Sequence, residues 1–247
     1  MVCSHTGARF SVQVWASAYT LAGLKAAPQK GFQKAPLCGI LLQTDRSDFC
    51  MRKGEQTRER ILLRAAGLFN QKGYFGASLS DVMRVTGLQK GGVYNHFESK
   101  EKLALEAFDF ALKMITGRIE RALSGHRHAA ERLLALISVF RAYTSGSPIP
   151  GGCPVMNTAI ESDDAHPGLQ RRARHAMNQW RELLRTIVRK GVERKELRPS
   201  ADADFVATLF IASLEGAIML TKLYNDPVHI TRVADHLSEY VETTLRA

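Results

Sequence analysis

Between Ser78 and Leu88 the chain spells out a short helix with both ends marked. Ser78-Leu79-Ser80-Asp81 places a hydroxyl and an acid three residues apart, the pattern of a capping box that satisfies free N–H groups at a helix start. Val82, Met83 and Val85 give it an apolar side, and Thr86-Gly87-Leu88 closes it. Glycine at Gly87 permits the tight reversal of a helix-turn-helix. The stretch before it is also helical: from Gln56, the residues Ile61, Leu62, Ala65, Leu68 and Phe69 recur at spacings of three and four until Gly73 stops the run.

The segment after the turn carries the chemistry. Gln89 and Lys90 begin a second short helix, and Gly91 and Gly92 stand where bulky side chains would otherwise project. Tyr94, Asn95 and His96 follow, and Ser99 caps a new helix whose first turn holds Lys100. A short helix with small residues on its leading face and polar or cationic residues around it suits a DNA major groove. Gln89 and Lys90 are placed to reach base edges or flanking phosphates. Asn95 either reads a base or caps the helix. His96 acts as a neutral donor or as a cation, since an imidazole titrates near working pH.

Thr57, Arg58, Ile61, Ala65, Phe69, Gly73, Tyr74, Asp81, Gly87, Lys90, Gly91, Tyr94, Phe97, Ser99, Lys100 and Leu103 together resemble the DNA-binding domain of the TetR family of bacterial regulators. The resemblance is close over residues 56–103 and elsewhere extends only to the helical layout. It implies that Tyr94, His96 and Lys100 contact phosphates. Ser78 stands at the N-terminus of its helix, where it is placed to donate and where backbone amides and the dipole favour phosphate. Ile61, Ala65, Phe69, Val82, Val93 and Phe97 are expected to form the small core of that domain.

Charge agrees with a polyanionic partner. The 247 residues carry a formal net charge of +10, and residues 51–100 hold nine Lys or Arg against four Asp or Glu. A hydrophobic content of 45% supports a buried core. The four cysteines, Cys3, Cys38, Cys50 and Cys153, match no zinc spacing, and a thiol-containing cytoplasmic protein is expected. No metal, cofactor or membrane partner is expected.

Three regions follow: residues 1–50 as a leader, 51–100 as the helix-turn-helix DNA-binding domain, and 101–247 as a helical effector-binding and dimerisation domain. The leader lacks a sustained period, and its apolar run is broken by Gln13 and Ser17, unlike a signal peptide. Met51 opens a typical TetR start, so the leader reads as a disordered tail or an over-extended upstream sequence. Gln43-Thr44-Asp45-Arg46-Ser47 and the first base of Asp48 can be encoded by CAGACCGATCGGTCTG, a perfect inverted repeat. Such symmetry is what a dimeric regulator reads, so the leader region is a candidate for operator DNA.

Past Ser99 the chain reads as helix almost throughout: to about Leu123, then Ala130–Tyr143, Pro154–Ser162, Leu169–Arg194, Asp202–Tyr224 and Val228–Leu245. The apolar richness of Ala207–Leu220 exceeds one buried stripe and fits either a central core helix or a dimer seam. The resemblance favours the seam.

Gly151-Gly152-Cys153-Pro154 puts a lone thiol near a helix N-terminus, a setting that lowers thiol pKa. The arrangement is similar to that in TetR members of the NemR and AcuR kind, which implies a response to electrophiles or small unsaturated acids. Cys153 is therefore a candidate sensor, with a plain buried hydrophobe as the alternative. Asn157, Phe140, Tyr143, His175 and Trp180, with Met156 and Met177, are candidates for the effector pocket. The basic run Gln170–His175 offers a partner for an acidic effector or simply a solvated face.

The fold class expected is all-α, an N-terminal three-helix helix-turn-helix domain joined to a larger helical ligand-binding and dimerisation domain. The function expected is a homodimeric repressor, released from a palindromic operator on double-stranded DNA by a small molecule or electrophile. Two other classes compete. A Cys153 enzyme using His166 or His175 with Asp163 or Asp164 lacks any visible oxyanion site. A nucleoid-type protein would bind DNA without sequence preference or effector response.

Overall fold

The computed structural model describes residues 53–142, 146–162 and 165–247. The leader, Met51 with its proposed start, the inverted repeat, Tyr143, Asp163 and Asp164 lie outside those residues.

The first helix, α1 (Lys53–Lys72), buries Ile61, Leu62, Ala65 and Leu68 along one side. Glu55 in its first turn and Lys72 in its last complement the helix dipole. Helix α2 (Leu79–Thr86) starts at the capping box and ends at Gly87, which takes the left-handed conformation at φ 70°. Helix α3 (Lys90–Tyr94) follows, and Ser99 caps α4 (Lys100–Ser124), its hydroxyl accepting from the Lys102 N–H at 3.0 Å. Ile61, Ala65, Val82, Val93 and Phe97 meet in one core. Phe69 packs against it half-buried. The N-terminal half of α4 adds Leu103, Ala107 and Ala111 to the same core, so that core runs past residue 100 along the helix. Truncating a fully buried phenylalanine such as Phe97 costs about 3–5 kcal/mol.

A second core joins the distal part of α4 to α5 (Ala129–Arg141), α6 (Pro154–Glu161), α7 (Pro167–Glu193), α8 (Ala203–Tyr224) and α9 (Val228–Tyr240). Leu133, Val188, Phe210 and Leu237 are fully buried at its centre. Asp202 caps α8 through the N–H groups of Asp204 and Phe205, and Asn225 ends it in the left-handed conformation. The sequence predicts helix to Leu245. The last turn, Val241–Leu245, is instead a wider π turn. It brings the Leu245 carbonyl to the Arg198 N–H at 2.8 Å, closing the chain end onto the α7–α8 connection.

Helix α8 serves two surfaces. Val206, Phe210, Leu214 and Ile218 enter the core, while Phe205, Met219, Leu223 and Tyr224 stay exposed. It is long and apolar enough to cross a membrane by length and composition. Its buried stripe accounts for part of that apolarity, and the exposed stripe for the rest.

Candidate nucleic-acid interface and effector cavity

The helix-turn-helix is pinned by Asp81. Its Oδ2 accepts from the Ser78 N–H at 3.0 Å and the Ser78 hydroxyl at 2.9 Å, while its Oδ1 accepts from Lys72 Nζ at 2.8 Å and Arg84 at 2.6 Å. Lys72 foremost, then the Ser78 amide and Arg84, hold the Asp81 carboxyl well below the usual carboxylate range. One acid thus fixes the start of α2 to the end of α1. The Ser78 hydroxyl is committed to this cap, giving its proton to Asp81 and accepting from the Asp81 N–H at 3.1 Å. That hydroxyl proton is therefore engaged within the chain rather than offered to phosphate.

Helix α3 anchors itself through buried Val93 and exposes Lys90, Gly91 and Tyr94. Gln89 is its N-cap, exposed and without a side-chain cap bond. Lys90 is exposed, its ammonium 5.9 Å from the Tyr94 ring centre, and Tyr94 is itself exposed. Asn95 takes the C-cap position, its N–H bonded to the Gly91 carbonyl at 2.9 Å. His96 sits half-buried beside Phe97 with ring centres 6.4 Å apart. Lys100 Nζ lies 4.4 Å over the Tyr74 ring. Among the described residues neither Lys90 nor Lys100 is paired with a carboxylate.

The two glycines of α3 differ. A side chain at Gly92 would touch Leu88 at 3.4 Å, so its small size serves internal packing. A side chain at Gly91 would meet nothing within 4 Å, and its φ is not positive. Among the described residues, nothing packs against the position a side chain at Gly91 would take.

A polar junction ties α1 to the α6 region. Asn70 Nδ2 donates to the carbonyls of Pro150 at 2.9 Å and Gly152 at 2.8 Å. Asn157 Nδ2 reaches the Asn70 Oδ1 at 2.8 Å and the Gly151 carbonyl at 2.9 Å. Lys222 of α8 donates to that same Gly151 carbonyl at 2.7 Å. Gly151 has φ 112°, and a Cβ there would lie 2.7 Å from the Asn70 carbonyl oxygen, so only glycine permits this approach. Nearby, the Glu161 carboxylate accepts the N–H groups of Tyr74 and Phe75, both at 2.9 Å.

A narrow, otherwise apolar cavity lies among α4, α5, α7 and α8. Its volume is about 30 Å³, room for one water, and it is partly open to solvent. Phe140 and Trp180 line it together, their rings edge to face at 6.1 Å. Glu215 lines it as well, 7% exposed, and among the described residues neither carboxylate oxygen has a hydrogen-bond partner of ordinary geometry. Burial pushes this carboxyl up to about 7, and only the weak donor Cys153 works against that.

The sequence-predicted effector residues therefore separate. Phe140 and Trp180 share the cavity. Asn157 belongs to the junction, and His175 is exposed on α7. Arg171 and Arg174 are also exposed, and Arg172 pairs with Asp109 at 3.0 Å. Cys153 does occupy the N-cap of α6, where the Met156 and Val155 amides favour thiolate. Its expected low pKa is overturned nonetheless. Complete burial first, and the Glu215 carboxylate second, push the thiol well above its ordinary value. Sequence reasoning passed over Asn70 and Glu215. Glu215 left a signal as the lone acid in Val206–Leu220, the most apolar part of the chain.

A short exposed helix held by a capped helix-turn-helix, joined through a polar junction to a helical domain with an apolar cavity, is the architecture of a DNA-binding regulator. Residues 61–107 match the family model for bacterial regulatory proteins of the tetR family, and residues 129–237 match the tetracyclin repressor-like C-terminal domain. A TetR transcriptional regulator from Chloroflexus aurantiacus J-10-FL is 47% identical, with a TM-score of 0.76 covering 79% of this chain and 99% of its own. A TetR-family regulator from Cytophaga hutchinsonii is 34% identical, with a TM-score of 0.72 covering 80% and 98%. The repressor DhaR of Mycobacterium sp. strain GP1 is 25% identical over 171 residues, 67% of this chain and 82% of its own length. The chain belongs to the TetR family of DNA-binding transcriptional regulators.

Proposed function

We propose that the chain is a homodimeric repressor that binds a palindromic operator and is released from it by a small molecule. Residues 51–100 form the DNA-binding domain and 101–247 the effector and dimerisation domain, with α4 spanning the two. The observation that carries this reading is Gly91, whose missing side chain makes room for nothing among the described residues yet lies on the exposed face of α3. Close approach of a DNA backbone or base edge supplies the reason. Gln89, Lys90 and Asn95 are the base-reading candidates. Tyr94, His96 and Lys100 are the phosphate contacts, and the α2 N-terminus at Ser78 offers its backbone amides.

Support from relatives points the same way. DhaR is named a repressor, and CifR, which shares this fold at 23% identity, is seen on a double-stranded operator DNA. A regulator of the same fold from Saccharomonospora viridis, 23% identical, holds choline. Phe205, Met219, Leu223 and Tyr224 give α8 an exposed apolar stripe that a second copy would cover. The junction supports release. Asn70 holds α1 to the loop before α6, so a shift of that loop moves α1 and, through α2 and their shared core, the reading helix. The buried Cys153 favours a ligand acting through the cavity over direct attack by an electrophile. A NemR- or AcuR-like mode keeps a clear test: DNA release by an electrophile that Cys153→Ser abolishes. The general experiment is fluorescence anisotropy on operator DNA with and without effector. Ligand-insensitive binding, equal on scrambled DNA, would leave the nucleoid-type alternative.

A further inference from the structure

A carboxylate buried in an apolar cavity without a strong hydrogen-bond donor is costly, and proteins tolerate such groups where a ligand completes them. Glu215 is that group, 7% exposed, with both oxygens shielded from solvent and, among the described residues, only the weakly donating Cys153 thiol beside them. It shares its cavity with the rings of Phe140 and Trp180 and with aliphatic side chains including Leu136 and Leu184. Aromatic faces beside a carboxylate favour a cation with an apolar body: the acid supplies the counter-charge, and the rings attract the positive head. We propose that this cavity is a binding site for a hydrophobic organic cation, an amine or quaternary ammonium on a slender apolar body, with Glu215 as its counter-ion.

The inference deepens the effector reading above and rests on it. The cavity holds about 30 Å³, room for one water, and is partly open to solvent, so the ligand must widen it between α5, α7 and α8. Glu215 also lies against Cys153, the N-cap of α6, which directly follows the glycine pair whose carbonyls face Asn70, Asn157 and Lys222. A carboxylate drawn to a cation thus withdraws from the residue that borders the junction.

Isothermal titration calorimetry of the full chain with phenylbutylammonium, phenylbutanol and phenylbutyrate compares one body with three heads. The native chain is expected to bind the ammonium at one per chain, about tenfold or more tighter than the alcohol, with the carboxylate weakest. Glu215→Gln should erase the preference for the ammonium while melting no lower than the native chain at neutral pH. Trp180→Leu should weaken the ammonium about fivefold. Absence of saturable ammonium binding, equal affinity for the three heads, or an unchanged preference in Glu215→Gln overturns the proposal. DNA release is read separately by anisotropy. Ammonium binding that depends on Glu215 but leaves the DNA complex intact would uphold the site and refute its role in release. Release by another class of molecule without ammonium binding would do the reverse.

Discussion

The side-chain amide of Asn157 donates to the side-chain oxygen of Asn70 at 2.8 Å, joining residues 87 positions apart across the boundary between the two cores. Asn70 in turn satisfies the carbonyls of Pro150 and Gly152. This pair is the polar fastener between the reading head and the helical domain. Its removal takes one donor from each of the Pro150, Gly151 and Gly152 carbonyls, at about 1 kcal/mol per hydrogen bond. Asn70→Ala should therefore lower the urea midpoint of the whole chain. Asn157→Ala should weaken effector-induced release more than DNA binding itself. Equal loss of both in Asn157→Ala would assign the pair a purely structural role.

Gly91→Ala separates folding from recognition. Alanine favours helix over glycine by about 1 kcal/mol and meets no neighbour here, so the variant should be as stable as the native chain or slightly more. Operator affinity should nonetheless fall about tenfold or more if α3 lies against DNA. Retained affinity in a stable variant would remove Gly91 from the interface.

Lys100→Ala and Tyr94→Ala should weaken binding to all sequences alike, since phosphate contacts position the protein without reading bases. Lys100→Ala should also reduce the slope of log affinity against log salt by about one. An unchanged slope would show that the ammonium held over Tyr74 makes no phosphate contact.

Much of the reading head was legible from local chemistry. The Ser78–Asp81 box, the Gly87 turn and the Ser99 cap each depend on neighbours within a few residues, so sequence alone locates them. The effector half was legible only as helices. The roles of Asn70 and Asn157 arise from a contact that no local pattern encodes, and Asn157 accordingly reads as a pocket residue. Cys153 misled for a related reason. Its helix N-terminus is local and visible, but the burial and the Glu215 carboxylate that outweigh it come from packing.

Glu215 should leave a mark on stability. Its carboxyl is held at about 7, against 4.5 for an ordinary glutamate, so the folded chain binds this proton more tightly than the unfolded chain does. The penalty is absent at acid pH, grows as pH rises from 4.5 towards 7, and is then complete at about 3 kcal/mol. Asp81 works in the opposite sense, but its depressed carboxyl titrates below that window. Unfolding free energies of the native chain and Glu215→Gln, measured by urea across this range, should diverge in favour of the variant as pH rises. Parallel curves would mean that the carboxyl is solvated in solution.

Operator-specific binding by a two-fold dimer is the central claim, and fluorescence anisotropy tests it most directly. The chain is titrated at fixed salt onto DNA from just upstream of its own gene and onto a scrambled duplex. Tight binding of two chains to the upstream DNA, lost when one arm of its inverted repeat is altered, is the result expected. A duplex bearing CAGACCGATCGGTCTG is the first candidate within that DNA. Equal, weak and strongly salt-sensitive binding to both duplexes would contradict the account.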